Sequence, residues 1–324
     1  MTFLRTLLLL LGFVFCAPPA LAQTYPTKPV RIICPFPAGG LSDTFLRALS
    51  QGLTRQWGQQ VLVENRPGAN TMIAADATAK SPPDGYTILM ASDATLSINP
   101  FLYSKLTYDP VKDFIPVVTI HAVPAVLVVS PALEVSSLQS LVALAKARPG
   151  ELNYGSFGMG STPHLDTEFF NERSGIVLTH VPYKGGADVL PALSANQIQV
   201  AIVGVAGAAP FIRSNRVKAI GMLSSRRLPV LPDVPTMSEL GMSGFDTRAA
   251  WNGLVVPAAT PRPLVDQIAK DVAQVINEPE FQQRFIINAG LEPLVLMPDQ
   301  FAEYLNTDRR KHGAEIRKLN IRLD

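Results

Sequence analysis

The stretch "IICPFPAGGLSDTFLRAL", from Ile32 to Leu49, carries the pattern on which the fold depends. An apolar run suited to a β-strand meets two prolines and two glycines, and a helical pattern begins at Ser42 or Asp43 without a linker. A strand that turns through glycines directly into a helix is typical of parallel α/β sheets. The turn offers no lysine and no cluster of metal ligands, so its purpose depends on the rest of the chain.

The same alternation continues through the first third of the chain. Phe45, Leu49 and Leu53 share one face of the predicted helix, at i, i+4 and i+8. The strand "QVLVEN" follows, then the turn "RPG", an alanine-rich helix to about Ala79, and the strand "YTILMAS". These patterns predict a β-α-β-α-β unit.

The middle of the chain repeats the alternation with different residues. The strands "AVLVVSP", "LNYGS" and "QVAIVG" are each followed by a helical pattern, near Leu138–Ala147, Leu165–Asn171 and Ala208–Ser214. We therefore predict a second sheet. The fold class is α/β with two domains, each a mostly parallel sheet flanked by helices.

The end of the chain is predicted to return to the first domain. "AAWNGLVVPAATP" indicates a strand, and three helical patterns follow, over Pro263–Ile276, Glu280–Ala289 and Asp299 to about Lys318. They leave too few strands for a third sheet. We predict domain 1 at 23–123 and 250–324, domain 2 at 124–249, and hinge crossings near 121–125 and 246–251.

The N-terminus has the pattern of a signal peptide over residues 1–22. Arg5 is its only charged residue, an apolar run spans Leu7 to Cys16, and Ala20-Leu21-Ala22 gives a small-x-small cleavage pattern. A run of about ten apolar residues is too short for a membrane anchor, which needs about twenty. We expect export to the periplasm.

Composition narrows the classes of function. Of the 28 Lys+Arg and 26 Asp+Glu, only Arg5 is in the leader, so the mature chain carries +1, which favours neither nucleic acid nor a membrane surface as partner. Cys34 is the only cysteine after the leader, so no intramolecular disulfide forms. With four histidines, no metal cluster is recognisable, and no cofactor motif is present.

Two glycine junctions are the candidate binding site. Pro35 to Gly40 follows the first strand, and Gly155, Gly158 and Gly160 stand between a strand and a helix in the second unit. Glycines let consecutive backbone N–H groups point to one spot, and the helix adds unpaired donors and the positive end of its dipole. Such loops favour an anion, although glycines in a single loop also serve simple tight turns.

A carboxylate fits these loops better than a phosphate. There is no G-x-x-x-x-G-K-[ST], and Pro163 stands where the third glycine of a dinucleotide fingerprint is expected. Backbone amides and hydroxyls hold a carboxylate without a lysine. The hydroxyls at hand are those of Ser42, Ser92, Thr95, Ser161 and Thr162.

A catalytic function is disfavoured. "YGSFG" fails the G-x-S-x-G spacing because Gly155 directly precedes Ser156. Ser161 and His164 lie at i, i+3, but no carboxylate is placed to orient the ring. His164 is expected to be either a capped or buried structural residue or a donor to the ligand through its ring N–H.

The segments "YPTKPVRIICPFPAGGLSD", "VLVENRPGAN", "SPPDGYTILMAS", "NYGSFGMGSTPHL", "VPYKGGADVLPAL" and "LPDVPTMSELG" resemble the substrate-binding proteins of tripartite tricarboxylate transporters, the Bug family of periplasmic receptors. The resemblance covers the mature chain in order. It implies a type II Venus-flytrap fold that closes on a small carboxylate and presents it to membrane transporter subunits. We expect a monomer.

The resemblance also implies which residues bind the ligand through backbone amides, hydroxyls and ordered water. They fall in the loops Phe36 to Asp43, Ser92 to Thr95 and Gly158 to His164 and in the crossing at Asp246 to Ala249. The expected ligand-binding residues are Phe36, Ala38, Gly39, Gly40, Ser42, Asp43, Ser92, Asp93, Thr95, Gly158, Gly160, Ser161, Thr162, His164, Asp246 and Arg248. A side chain at Gly40 is expected to crowd the anion and to force the backbone out of its inward-pointing form.

Several alternatives stay open at the level of sequence. The ligand is a dicarboxylate, a tricarboxylate, an acidic amino acid, or an aromatic or nicotinate-type acid, and the receptor serves transport or, alternatively, signalling. Arg248 either pairs with Asp246 at the surface or points inward to a second carboxylate. Cys34 stands where the family has a small or apolar residue, and we expect it to be a buried, inert thiol.

Overall fold

The computed structural model describes residues 25–183, 185–246 and 248–323. The predicted signal peptide lies outside these residues. Within them, no helix combines the length and the apolar character that crossing a membrane requires.

Within the described residues, ten strands form two sheets of five. The strands are β1 (Val30–Cys34), β2 (Val61–Asn65), β3 (Thr87–Ser92), β4 (Phe114–Val123), β5 (Ala125–Val129), β6 (Asn153–Ser156), β7 (Thr179–Pro182), β8 (Val200–Gly204), β9 (Lys218–Leu223) and β10 (Ala250–Pro257). The first sheet has the order β2-β1-β3-β10-β4 and the second β7-β6-β8-β5-β9. Only β10 and β5 run against their neighbours, so four of the five strands in each sheet share one direction. The predicted fold class is confirmed.

Helices flank both sheets. They are α1 (Leu41–Trp57), α2 (Met72–Ala79), α3 (Asn99–Leu102), α4 (Leu138–Ala147), α5 (Thr162–Ser174), α6 (Gly186–Ser194), α7 (Val205–Arg213), α8 (Arg262–Ile276), α9 (Pro279–Gln282) and α10 (Pro298–Leu319). A 3-10 turn at Ala69–Thr71 and π-helical segments at Ala94–Ile98 and Gln283–Ile287 complete the elements. The helix predicted over 280–289 is divided between α9 and the second π segment.

Sequence patterns had not predicted β4 or α6, and each contains an internal proline. Pro116 lies in β4, which is the edge strand of the first sheet, where a missing N–H is tolerated. Pro191 lies inside α6. Proline obscures both patterns because it usually ends a helix or a strand.

The first core lies between the first sheet and helices α1 and α8. Phe45, Leu49 and Leu53 of α1 are fully buried there, as their spacing predicts. Cys34 lies in the same core, and burial raises the pKa of its thiol. The thiol is therefore a packing group, as expected from the sequence.

The chain crosses between the sheets twice, at the positions predicted to be hinges. Pro124 alone separates β4 from β5, and β10 re-enters the first sheet at Ala250. Helix α10 also touches both halves, since Ile316 packs with Leu165 of α5. The strand ends and helix starts of both sheets therefore face a common space.

Candidate functional site

A cavity of about 550 Å³ lies between the two sheets. Its wall includes the turn after β1, the end of β3, the loop after β6 and the end of β8, where the ligand of an α/β sheet is expected. Six of the predicted binding residues line it: Phe36, Ser42, Ser92, Asp93, Ser161 and Thr162. The other ten do not, and several of them support the wall from behind.

Among the described residues, four helices begin at the cavity: α1, α5 and α7, which sequence patterns predicted, and α6, which they did not. The wall includes Ser42 in the first turn of α1, Thr162 at the start of α5, and the residues that precede α6 and α7, Gly185 and Gly204. None of these four helices has a side chain hydrogen-bonded to its first turn as a cap. The first turn of a helix has backbone N–H donors without a partner inside the helix and brings the positive end of the helix dipole to the wall. Two of these positions are not available to a ligand, because Val205 N of α7 donates to Pro124 O at 2.9 Å and Pro163 of α5 has no N–H.

The loop after β1 is held by Asp43, which lies behind it. The buried carboxylate accepts hydrogen bonds from Gly39 N at 2.9 Å, Asn65 Nδ2 at 2.9 Å and Arg47 Nε at 2.9 Å. The bond from Arg47 is the main reason that the pKa of Asp43 falls to about 2. Asp43 and Gly39 thus shape the loop, while Ala38 is exposed away from the cavity wall.

The two glycines of this loop differ in conformation. Gly39 has a φ of +80°, which only glycine adopts readily, whereas Gly40 has a φ of −76°. A Cβ on Gly40 would meet only Pro37 O, at an ordinary 3.4 Å. The expectation that a side chain at Gly40 distorts the backbone is wrong, and the constraint applies to Gly39.

The loop after β6 is held by neutral groups. Gly158 O accepts from Ser161 Oγ at 2.7 Å, and Gly160 N donates to His164 Nδ1 at 3.1 Å. The ring of His164 stacks on His180 at 4.3 Å between centroids. Burial, with a contribution from His180, lowers the pKa of His164 to about 4, so the unprotonated Nδ1 accepts the hydrogen bond at neutral pH. His164 caps the loop from behind, off the cavity wall.

A third wall segment escaped sequence analysis. Ala69, Asn70 and Thr71 have φ values of 45°, 46° and 74°, three consecutive non-glycine residues in the left-handed region. Asn70 and Thr71 line the cavity, and Thr71 Oγ1 lies 2.9 Å from Thr95 Oγ1. Each such residue costs of order 1–3 kcal/mol, and such strain concentrates at binding sites. The sequence indicated this segment only through the predicted turn "RPG", which directly precedes it.

Thr95 is a supporting residue rather than a wall residue. Its Oγ1 accepts from Ser92 N at 3.2 Å and lies 3.2 Å from Ser92 Oγ. Thr95 is fully buried and therefore fixes the end of β3 where Ser92 meets the cavity.

Asp93 joins the two halves of the wall. Only 5% of its surface is exposed, and it accepts from Ala94 N at 2.8 Å and from Thr162 Oγ1 at 3.0 Å. Burial raises the pKa of this carboxyl to about 6, with Asp308 adding to the rise and His312 opposing it. A buried carboxylate directly after β3 therefore contacts the first residue of α5 in the other sheet's layer.

Arg248 differs from both of its predicted roles. It is buried, and its Nε donates to Asp166 Oδ1 at 2.7 Å while Nη1 donates to Glu315 Oε1 at 2.5 Å. The guanidinium also lies 4.2 Å over the ring of Phe169. It is neither in a surface pair with Asp246, which is exposed, nor on the cavity wall. Asp166 lines the cavity instead, and no sequence pattern predicted it to be a site residue.

Most of the remaining wall is apolar. Its contributors include Phe36, Phe157, Val123, Ile202 and Trp251. Within the described residues, no group of three or more His, Cys, Asp or Glu side chains is arranged to hold a metal ion. The arrangement suits a ligand with an anionic end and an apolar body.

Residues 45–321 match the model of the tripartite tricarboxylate transporter family receptor. Protein BugT of Bordetella pertussis is 34% identical over 308 residues, which cover 95% of this chain and 94% of that protein. A Rhodopseudomonas palustris protein solved with adipate is 31% identical, with a TM-score of 0.84 over 92% of this chain and 100% of that one. MatC of the same organism, with bound malate, is 28% identical, with a TM-score of 0.77 over 90% of this chain and 100% of that one.

These similarities agree with the resemblance found in the sequence. The matched family consists of periplasmic solute-binding receptors and not of enzymes, so the catalytic alternative is set aside. The family match begins within α1 and extends over the other nine strands of the described residues and both crossings, whereas β1 and the loop after it precede the match. The chain belongs to the family of tripartite tricarboxylate transporter receptors.

Proposed function

We propose that this chain is a periplasmic receptor that captures a small organic carboxylate in the cavity between its two sheets and delivers it to a tripartite membrane transporter. The observation that carries the proposal is the set of four uncapped helix starts, at Ser42, Thr162, Gly185 and Gly204, around one cavity. An anion there receives hydrogen bonds from both layers of the molecule without a buried lysine.

Capture works by closure of two lobes around the crossings near Pro124 and Ala250. Helix starts from α1 belong to the first sheet and those of α5, α6 and α7 to the second. A carboxylate that touches both sets has contacts in the closed form that neither lobe offers alone, which is the differential affinity that closure requires. The proposed lobes are residues 23–123 with 250–324, and 124–249.

A thermal-shift screen over a carboxylate library tests the proposal. A ligand at 100 times its dissociation constant adds about 2.7 kcal/mol to the free energy of unfolding, which raises the melting temperature measurably. Solution scattering of the protein with its best ligand is expected to give a smaller radius of gyration. A library that leaves the melting temperature unchanged contradicts the proposal.

A pair of variants places the ligand at the helix starts. Gly185 is extended, with a φ of 169°, and a Cβ there meets no atom within 4 Å, so Gly185→Leu is compatible with the backbone and introduces bulk beside the start of α6. Ala195→Leu is the matched control, since Ala195 is exposed at the opposite end of α6 and does not line the cavity. We expect the first to weaken binding at least tenfold and the second to leave it unchanged. Equal affinities would place the ligand elsewhere.

A further inference from the structure

The acid–base composition of the cavity wall is unusual for a receptor of anions. Among the described wall residues, the ionisable side chains are Asp93 and Asp166, and no Lys, Arg or His lines the cavity. Two buried carboxylates repel an anion unless something compensates them. The hydrogen-bond and ion-pair partners of these two carboxylates therefore indicate which charged groups the ligand has.

Asp166 has an ion-pair partner, whereas Asp93 has none among the described residues. Asp166 receives Nε of Arg248 at 2.7 Å. Asp93 receives only the hydroxyl of Thr162 and the amide of Ala94, and no cation lies within ion-pair distance of it among the described residues. Each of its oxygens accepts one hydrogen bond and has capacity for another.

The cations around this wall pair with other carboxylates. In the described chain, Arg248 pairs with Asp166 and Glu315, Lys311 lies 3.9 Å from Asp308, and His312 lies 3.4 Å from Asp308 and 3.5 Å from Glu315. Burial opposes the charge on His312, but Asp308 and Glu315 raise its pKa to about 9. Arg309, which also interacts with Asp308, donates to the carbonyl oxygens of Leu96 and Pro110. None of these ion pairs includes Asp93. Tyr304 on α10 also faces Asp93 and is neutral at physiological pH.

A second polar group at the same corner also lacks a partner. Asn252 is 5% exposed and lines the cavity, and its Oδ1 has no hydrogen-bond partner. It lies on β10 directly opposite Ser92, the residue before Asp93. Burial of an amide oxygen without a hydrogen-bond partner is unfavourable, so this corner suits a polar ligand group. Acceptor oxygens of Asp93 and Asn252 both suit a hydrogen-bond donor.

We propose that the ligand is a zwitterion, a carboxylate that also bears a protonated nitrogen, with the nitrogen bound at Asp93 and Asn252 and the carboxylate at the helix starts. The nitrogen supplies the positive charge and the hydrogen-bond donors that Asp93 lacks. The ligand class is therefore that of amino acids and related amino carboxylates. This inference rests on the proposed function and narrows it.

Matched pairs of acids test it by calorimetry on the intact mature protein. Suitable pairs are L-glutamate with glutarate and L-phenylalanine with 3-phenylpropionate, which differ only in the ammonium group. At pH 7.5 the amino member of at least one pair is expected to bind about tenfold to a hundredfold more tightly than its partner, because hydrogen bonds to charged groups contribute that much. Equal or weaker binding of the amino member in every pair overturns the inference.

Asp93→Asn assigns the preference to this residue. The variant is expected to remove the preference by weakening the amino acid about tenfold or more, while the acid without nitrogen binds equally or more tightly because a nearby negative charge is gone. Asn252→Leu is the second variant and should reduce the same preference. Equal losses on both members of a pair contradict the proposal.

The pH dependence separates two roles of Asp93. If its carboxylate binds an ammonium, the preference for the amino member grows as the pH rises from 5 to 7.5, since ionised Asp93 accumulates above about 6. Affinity that instead rises toward pH 5 for both members shows protonated Asp93 donating to the ligand carboxylate and overturns the inference. If carboxylates bind without discrimination, the proposed function stands and this inference fails. If no carboxylate binds, both fail.

Discussion

The two glycine loops occupy equivalent positions in the two sheets, but one is held by a charged hydrogen-bond acceptor and the other by a neutral one. After β1, an ionised carboxylate, Asp43, receives the loop amide of Gly39. After β6, a neutral imidazole, His164, receives the loop amide of Gly160. The pKa of Asp43 is lowered to about 2 and that of His164 to about 4, so both acceptors are available at neutral pH.

The difference lies in how far each support withstands acid and mutation. Asp43 gathers three donors from Gly39, Asn65 and Arg47, whereas His164 accepts one amide and relies on stacking with His180. Charge-assisted bonds are about twice as strong as neutral ones. We therefore expect the first loop to be the more rigid and the second to be the one that acid releases.

The largest effect is expected at Asp43. Asp43→Ala should lower the free energy of unfolding by about 3 kcal/mol or more, because the amides of Gly39 and Asn65 lose a charged acceptor. Asp43→Asn keeps one acceptor oxygen and should lose about half as much. Denaturant unfolding measures both values. If the two variants lose equal stability, the charge on Asp43 is not what holds the loop.

A smaller loss is expected at His164. His164→Phe keeps a ring against His180 but leaves the buried amide of Gly160 without an acceptor, which should cost about 2 kcal/mol. His164→Asn offers an oxygen near the position of Nδ1 and is the control that retains the bond. Unfolding of both variants at pH 7.5 decides the matter, and a Phe variant as stable as the Asn variant would make the stacking the whole role of His164.

Lower pH alone should weaken the support of the second loop, at His164, and leave that of the first loop, at Asp43, unchanged. His164 has a folded pKa of about 4, below its unfolded value of 6.5, so its contribution is complete above about pH 6.5 and is lost as the pH falls toward 4. Between pH 7 and about pH 5.5 this amounts to about 1 kcal/mol. Asp43, with a pKa of about 2, is unaffected in that range.

His164→Asn tests this dependence because asparagine does not titrate. The stability difference between this variant and the wild type should shift by about 1 kcal/mol in favour of the variant between pH 7 and about pH 5.5. His121, whose pKa is also lowered by burial, is present in both proteins and cancels. His180 stacks on His164 and contributes to its pKa shift, so the measured dependence belongs to this pair of rings. A difference that is constant with pH would mean that His164 does not titrate within the native state.

Sequence patterns predicted the sheets because strand and helix periodicity is local. The spacing of Phe45, Leu49 and Leu53 was enough to place α1 and its buried face. The cavity was predicted only in part, because its wall is assembled from segments far apart in the chain. Asp166 reaches it through a pairing with Arg248 that spans 82 residues, and Asn252 through a strand that returns to the first sheet.

The role of each residue within the two loops also could not be predicted from the sequence. Asp43 and His164 stand in the expected segments, but only the direction of their hydrogen bonds shows that they support the loops from behind. Gly39 and Gly40 are adjacent and chemically identical, and a sequence does not state which has a positive φ. Hydroxyl residues at helix starts, Ser42, Ser161 and Thr162, were predictable because capping positions follow directly from the helix pattern.

The last comparison concerns the stability lost when glycines of the two loops are replaced, and it includes the smallest expected effect, at Gly40. Gly160 has a φ of +74° and a Cβ there would overlap the side chain of Leu102, so Gly160→Ala combines backbone strain with a clash and should cost about 2 kcal/mol. Gly39→Ala meets no atom within 4 Å and should cost only the strain, about 1 kcal/mol. Gly40→Ala, at an ordinary φ, should stay within about 0.5 kcal/mol of the wild type. Denaturant midpoints of the three variants give the order, and a Gly40 variant that loses more stability than the Gly39 variant would show that the first loop adopts a different backbone in solution.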